Sequence, residues 1–262
     1  MKLEVRGVCF SYGSRPILTD VTLGMERGEI VSIVGPNGSG KTTLLKCIDK
    51  MLKPKKGCIL VENQDLGKLG IGEVAKLLGY VPQSAVNSLP STVFEAILIG
   101  RSPHLSWRIG RRDRQIVSEV MELMGIKDMA LRQFNQLSGG ERQKVLIGKA
   151  LAQEPEVILL DEPTSNLDLR HQLEVLDILT SMAEKRGISM ITAMHDLNLA
   201  LRFSHKIIAL KKGRICAAGG PASVLTSENI RSVYGVEAVV SLDSGRPYIV
   251  PLRPVYPEKE EK

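Results

Sequence analysis

The sequence predicts an α/β protein with a mostly parallel sheet, an N-terminal antiparallel β-subdomain and an inserted helical lobe. Three observations predict it. Short β-branched or aliphatic runs at 30–34, 157–160 and 190–194 alternate with helical patterns, the rhythm of a parallel sheet covered on both faces. Each run ends at residues with chemical capability: Gly35 opening a glycine-rich loop, then Asp161 with Glu162, then His195. Open α/β sheets bind ligands beyond the carboxyl ends of their strands, so three such endings at one edge mark a site. Residues 2–20 differ: they alternate around the turn Tyr12-Gly13-Ser14-Arg15-Pro16, which suggests a small antiparallel subsheet.

Residues 84–135 read as mainly helical and form the lobe, taken to extend to about 150. Within it Ile116, Val117, Val120, Met121 and Met124 fall on one helical face, and Gly125 stops the helix. A basic loop, 108–114, leads into that helix. After His195 come a strand at 207–210, a turn at Lys212-Gly213 and another strand, and a last hairpin is expected to turn at Ser244-Gly245. The organisation expected is one domain over 1–240, followed by a C-terminal hairpin and charged, frayed tail over 241–262.

Composition bounds the function. At 262 residues, 43% hydrophobic and 24% charged, the chain suits one large α/β domain with a smaller lobe. No segment supplies the roughly 18 uncharged apolar residues a membrane span needs, and the N-terminus lacks the apolar core of a signal peptide, so a cytoplasmic location is expected. Cys9, Cys47, Cys58 and Cys216 are scattered without metal-ligand spacing and read as reduced, packed thiols. The net charge of +6 decides no function by itself.

Gly35-Pro36-Asn37-Gly38-Ser39-Gly40-Lys41-Thr42 matches G-x-x-x-x-G-K-[ST] between an expected strand and an expected helix. The glycines let the backbone curl until successive N–H groups point at phosphate oxygens, and the helix starting near Lys41 adds its positive dipole end. Lys41 is expected to reach the β- and γ-phosphates, Thr42 to coordinate magnesium, and Thr43 to serve the α-phosphate region. Asp161 is placed to hold the magnesium of a bound nucleoside triphosphate, through a water, which leaves Glu162 free to polarise the attacking water. His195 stands at the same edge, in reach of a γ-phosphate. A second phosphate-binding helix start follows from Leu137-Ser138-Gly139-Gly140-Glu141-Arg142-Gln143. Ser138 and Glu141 have capping-box spacing, and Gly139 and Gly140 leave bare N–H groups beside the serine hydroxyl. One ATP does not obviously need both starts from one subunit.

This set of residues resembles the ATP-binding-cassette (ABC) family, whose pattern the chain follows over about 1–220, and 137–143 is similar to its signature motif. The resemblance implies a homodimer in which each ATP lies between Lys41 of one copy and Ser138 of the other. It further implies adenine stacking on Tyr12, a magnesium and lobe-coupling role for Gln83, a cross-dimer loop containing Asn166 and Asp168, and a switch role for His195. No coiled coil separates Lys41 from Ser138 and one cassette is present, which favours transport over DNA maintenance or translation. A separate integral-membrane permease, two copies by expectation, would then hold the chain at the cytoplasmic face of the membrane, with a substrate-binding protein and no nucleic acid as partners. Gly100-Arg101-Ser102-Pro103-His104 and His195-Asp196-Leu197-Asn198-Leu199-Ala200 resemble stretches of ATPases serving iron-siderophore, haem and cobalamin importers. The alternative is a soluble cassette acting in DNA maintenance or translation. Gly148, where such helices commonly carry alanine, suggests looser packing within the signature helix.

Overall fold

The computed structural model describes residues 1–83, 91–105, 109–165, 167–242 and 247–256. The N-terminal part runs β1 (Leu3–Tyr12), β2 (Arg15–Met25), β3 (Ile30–Val34), α1 (Lys41–Ile48), β4 (Lys56–Val61), β5 (Gln64–Asp65), α2 (Ile71–Leu77) and β6 (Leu78–Val81). The lobe holds α3 (Val93–Leu98), a 3-10 stretch at Ile99–His104, α4 (Arg111–Leu123) and the start of α5 (Gly139–Ala152). The chain then returns through β7 (Val157–Asp161), α6 (Leu169–Arg186), β8 (Ser189–Met194), α7 (Leu197–Phe203), β9 (Lys206–Lys211) and β10 (Arg214–Gly219). It closes with α8 (Pro221–Val224), α9 (Ser227–Tyr234), β11 (Val236–Ser241) and β12 (Tyr248–Pro254).

The six-stranded sheet has the order β10-β9-β3-β8-β7-β6, parallel except for β10. The expected subsheet is a four-stranded antiparallel one, β2-β1-β4-β5. Strands β3, β7 and β8 are buried at every residue, because both faces of the large sheet are covered. Alternation divides them between two cores. Val31, Ile33, Val157, Leu159 and Ile191 pack with α1 and the subsheet. Ile30, Val34, Ile158, Leu160, Met190 and Met194 pack toward α6, α7 and the lobe.

Helix α4 carries its expected apolar face: Val117, Val120, Met121 and Met124 are buried, Ile116 is half-buried, and Gly125 ends the turn at φ 64°. The expectation of looser packing at Gly148 needs correction. A Cβ there would stand 3.3 Å from both Ile97 and Val120, so α3 and α4 have closed onto the missing side chain. Strands β11 and β12 form a separate antiparallel pair. The expected turn at Ser244-Gly245, the tail from Pro257, Ser84, Arg108 and Asn166 lie outside the described residues.

Candidate nucleotide site

The phosphate loop leaves β3 at Gly35 and enters α1 at Lys41. Two glycines show why the motif needs them. A Cβ on Gly35 would lie 2.1 Å from the Leu210 carbonyl oxygen, and Gly40, the N-cap of α1, has φ 109°. The start of α1 thus has no side-chain cap, and its first N–H groups are left for an anion. Pro36 is half-buried, and Asn37 and Gly38 are exposed on the loop. Ser39 is buried, and its hydroxyl has no hydrogen-bond partner among the described residues. An orphaned hydroxyl inside a loop of inward N–H groups suits a phosphate oxygen.

Lys41 is 5% exposed and donates to the Gly35 carbonyl at 2.8 Å and the Pro36 carbonyl at 3.4 Å. Burial holds its pKa below that of an ordinary lysine, against the opposing pull of Glu162 and Asp161. The ammonium therefore has weak carbonyl partners that a triphosphate would outcompete. Thr42 donates to Asp161 Oδ1 at 2.9 Å, and the Tyr80 hydroxyl donates to Asp161 Oδ2 at 3.2 Å. Thr43, half-buried, follows on the first turn of the same helix.

Glu162 sits immediately after β7 with φ 53°, a left-handed backbone that costs a non-glycine residue about 1–2 kcal/mol. Its neighbours over-determine it. Its N–H donates to the Ala193 carbonyl at 3.1 Å, and Ser165 donates to its carbonyl through both N–H and hydroxyl. The twist aims the carboxylate across the sheet edge, where Gln83 Nε2 and His195 Nε2 both donate to it. Glu162 is 8% exposed, so this is a buried carboxylate held by two side-chain donors.

The structure thus brings Lys41, Thr42, Gln83, Asp161, Glu162 and His195 to one edge, from four strand ends. Tyr12, Ser138, Gly139, Gly140 and Asp168 share no side-chain hydrogen bond or ion pair with that set among the described residues. Tyr12 is exposed at the β1–β2 turn, edge-on to Phe10 with ring centroids 4.9 Å apart. Ser138 forms the expected capping box: its hydroxyl accepts from the Glu141 N–H at 3.3 Å, and its own N–H donates to Glu141 Oε2 at 2.7 Å. That N–H, ahead of Arg132, lowers the pKa of the Glu141 carboxyl. Gly140 has a reason beyond the cap: a Cβ there would meet the His171 ring at 2.4 Å. Asp168 caps α6, accepting from the His171 N–H at 2.9 Å and from its imidazole Nδ1 at 2.8 Å. Ser138 and Asp168 share no hydrogen bond or ion pair with residues 35–43 among the described residues.

Tyr80 and His171 escaped sequence reasoning. Tyr80 reaches Asp161 because β6 lies beside β7 in parallel register, Tyr80 opposite Leu159. The run 78–81 is too short to stand out as a strand. His171 carries an i, i+3 relation to Asp168, a weak signal without the fold.

Comparison with known proteins places this geometry. The ABC transporter family pattern matches residues 18–165. An uncharacterized ABC transporter ATP-binding protein of Methanocaldococcus jannaschii is 52% identical over 96% of this chain and 98% of its own. The iron(3+)-hydroxamate import ATP-binding protein of Bacillus subtilis is 37% identical over 92% of this chain and 90% of its own. Among solved structures, an inward-facing ABC transporter assigned to the metal-chelate type superposes with TM-score 0.84 at 29% identity, covering 96% of this chain and 98% of that one. A dimeric ATP-binding cassette in a post-hydrolysis state with ADP and Pi superposes with TM-score 0.73 at 31% identity, covering 84% and 98%. An uncapped phosphate loop, a buried carboxylate beyond β7 and a second glycine-bearing helix start are thus features of a chain that belongs to the ABC transporter family and hydrolyses ATP.

Proposed function

We propose that this chain powers uptake of an iron-siderophore, haem or cobalamin-type compound through a separate membrane permease, as the ATPase subunit at its cytoplasmic face. The observation that carries the reading is the 37% identity, over nine-tenths of both chains, with an iron-hydroxamate import ATPase. Two further features support it. No helix among the described residues is long and apolar enough to cross a membrane, and in this reading the passage is supplied by the permease. A groove of about 960 Å³ opens between the core and the lobe, lined by Met51, Ile71, Pro82 and Gln83. Ile71 is 85% and Met51 56% exposed on its wall, a surface suited to a helix of the permease. Gln83 lines the groove and also touches Glu162, so a partner seated there has a one-residue route to the reacting edge.

In this reading residues 1–240 act as one ATPase unit and two copies close on each other. Lys41 and the loop N–H groups bind the β- and γ-phosphates. The oxygens of Thr42 and Asp161, with the Gln83 side chain, are hard donors that suit Mg2+, which neutralises phosphate charge when bound. Glu162 accepts a proton from the attacking water, and His195 holds Glu162 and reaches toward the γ-phosphate. Ser138, Gly139 and Gly140 of the opposite copy supply the remaining N–H donors, Asp168 approaches across the dimer, and Tyr12 stacks on adenine. Hydrolysis is thereby tied to closure, since positioning and electrostatics carry most of phosphoryl-transfer catalysis.

The test is to tag the chain in its native cell and purify it from gently solubilised membranes. A stoichiometric multi-span permease is the expected companion, and loss of iron-chelate or corrinoid uptake on deletion identifies the cargo. A chain recovered with DNA or ribosomes, and with no permease, would overturn the import reading and leave the ATPase standing.

A further inference from the structure

The stretch 195–200 contains an asparagine that the nucleotide site does not use. Asp196 caps α7, its carboxylate accepting from the Asn198 N–H at 2.8 Å and the Leu199 N–H at 3.0 Å. That cap leaves the Asn198 side chain free, and it turns to the C-terminal hairpin. Its Nδ2 donates to the Ile249 carbonyl at 3.2 Å, and its Oδ1 accepts from the Ile249 N–H at 2.7 Å. One primary amide therefore satisfies both backbone groups of a single β12 residue. A two-point bond of this kind fixes orientation as well as distance.

The hairpin is itself anchored. Ile249 and Ala238, from its two strands, are buried in the same core as Ala200 and Leu201 of α7 and Ile230 and Val233 of α9. Helix α9 ends against the phosphate loop. The Tyr234 hydroxyl is buried near the Gly35 N–H, and burial, opposed by that N–H, raises its pKa. Ser232 of the same helix accepts from Lys211, at the end of β9. The C-terminal segment thus touches the phosphate loop at one end and, through Asn198, the helix that begins just after His195 at the other.

His195 needs such support. Its side chain is 45% exposed, and its described polar contact is with Glu162. It lies between the end of β8 and the cap of α7, so its position is set by how firmly each is held. Strand β8 lies inside the sheet between β3 and β7 and is buried at every residue. Helix α7 is seven residues long and near the molecular surface, and the Asn198–Ile249 pair ties its first turn to packed structure.

We infer that Asn198 is a positioning residue for ATP hydrolysis: by clamping the β12 backbone it fixes the first turn of α7 and thereby holds His195 against Glu162. The inference rests on the role proposed above for His195. It assigns the C-terminal hairpin a part in the reaction without contact with nucleotide. ATP binding depends on the loop at 35–43 and should not change, whereas the chemical step should, because small misplacements of reacting groups are costly.

The experiment is steady-state hydrolysis by the full-length chain with ATP and magnesium, comparing Asn198→Ala, Asn198→Asp, His195→Ala and Arg253→Ala. Asn198→Ala should lower kcat about tenfold with the KM for ATP within about twofold of the unsubstituted chain. Asn198→Asp keeps the acceptor for the Ile249 N–H but sets a carboxylate oxygen against the Ile249 carbonyl, so it should lower kcat at least as far as Asn198→Ala, again with KM little changed. Arg253→Ala removes the exposed Arg253–Glu237 pair of the same hairpin and should leave kcat unchanged. Backbone hydrogen exchange should accelerate in 196–200 of the Asn198 variants and not in α1. Unchanged kcat in both Asn198 variants, a loss expressed only in KM, or an equal loss in Arg253→Ala would each overturn the inference. Normal hydrolysis by His195→Ala would instead remove the role of His195 itself, and the inference with it.

Discussion

The helix that begins at Lys41 and the helix that begins at Gly139 both present glycine-rich starts suited to phosphate, yet their local chemistry is opposite. Among the described residues, the first has no side-chain cap, a buried lysine with only carbonyl hydrogen-bond partners, and an orphaned serine hydroxyl beside it. The second is closed by Ser138 and Glu141 in a reciprocal capping box, with Gly139 open to solvent and Gly140 pressed against His171. The first start is built to be completed by a ligand, and it lies at the edge that carries Asp161, Glu162 and His195. The second is capped by its own side chains and shares no hydrogen bond with Asp161, Glu162 or His195 among the described residues. In the reading proposed above, a site made of both draws on two copies: the first start binds nucleotide alone, and the second contributes only on closure.

The largest expected effect tests the chemistry that closure completes. Glu162→Gln should cut hydrolysis by about 10²–10⁴-fold while ATP still binds, so a closed, ATP-loaded dimer should accumulate. Sedimentation that finds only monomer with ATP and magnesium would contradict this. Lys41→Ala attacks the first helix start. Removing a charge-assisted partner of the phosphates should weaken equilibrium ATP binding by about 10–100-fold, and an unchanged affinity would remove the role given to Lys41.

Ser138→Ala attacks the second start, and here the contrast between the two sharpens. ATP affinity of the single chain should be unaltered, whereas hydrolysis should fall. Loss of the cap should lower stability by about 1 kcal/mol, visible as a drop of a few degrees in Tm. Weakened ATP binding by the isolated Ser138→Ala chain would mean that the two starts are not divided as described.

The smallest effect on hydrolysis, read in stability instead, concerns the groove beside α1. Burial raises the pKa of the Asp49 carboxyl to about 7, from an unfolded value near 3.9. Its protonated form favours the folded chain, so that contribution is complete below about pH 4 and is lost as pH rises through about 7. Asp49→Asn should therefore raise Tm at pH 8 and change it little at pH 4. An equal shift at both values would show that Asp49 titrates normally. Asp49 lies on the groove wall, and a basic group of a docked partner would restore its charge.

Some of this is legible residue by residue. The phosphate loop, the pair Asp161 and Glu162, and the capping box each declare themselves through local spacing, because loop curvature and helix capping are settled within a few residues. The strands at 30–34, 157–160 and 190–194 are legible because burial on both faces leaves unbroken apolar runs. Tyr80 against Asp161, His171 against Gly140 and Asn198 against Ile249 are not legible in the same way. Each joins residues whose separation in sequence says nothing about contact, and each depends on strand order or on the register of a helix against its neighbour. Gly148 shows the same limit from the other side: local propensity marks it as a weakness, and packing turns the absent side chain into a close contact.

The sequence by itself determined that this chain carries a nucleotide-binding α/β core with two phosphate-suited helix starts, since those features follow from short-range backbone geometry. Only the tertiary structure decided that Glu162 is held in a left-handed backbone between Gln83 and His195, and that the C-terminal hairpin is tied to the helix after His195. The physical reason is that both depend on which strand ends become neighbours, and that follows from burying both faces of one sheet at once rather than from any local run of residues.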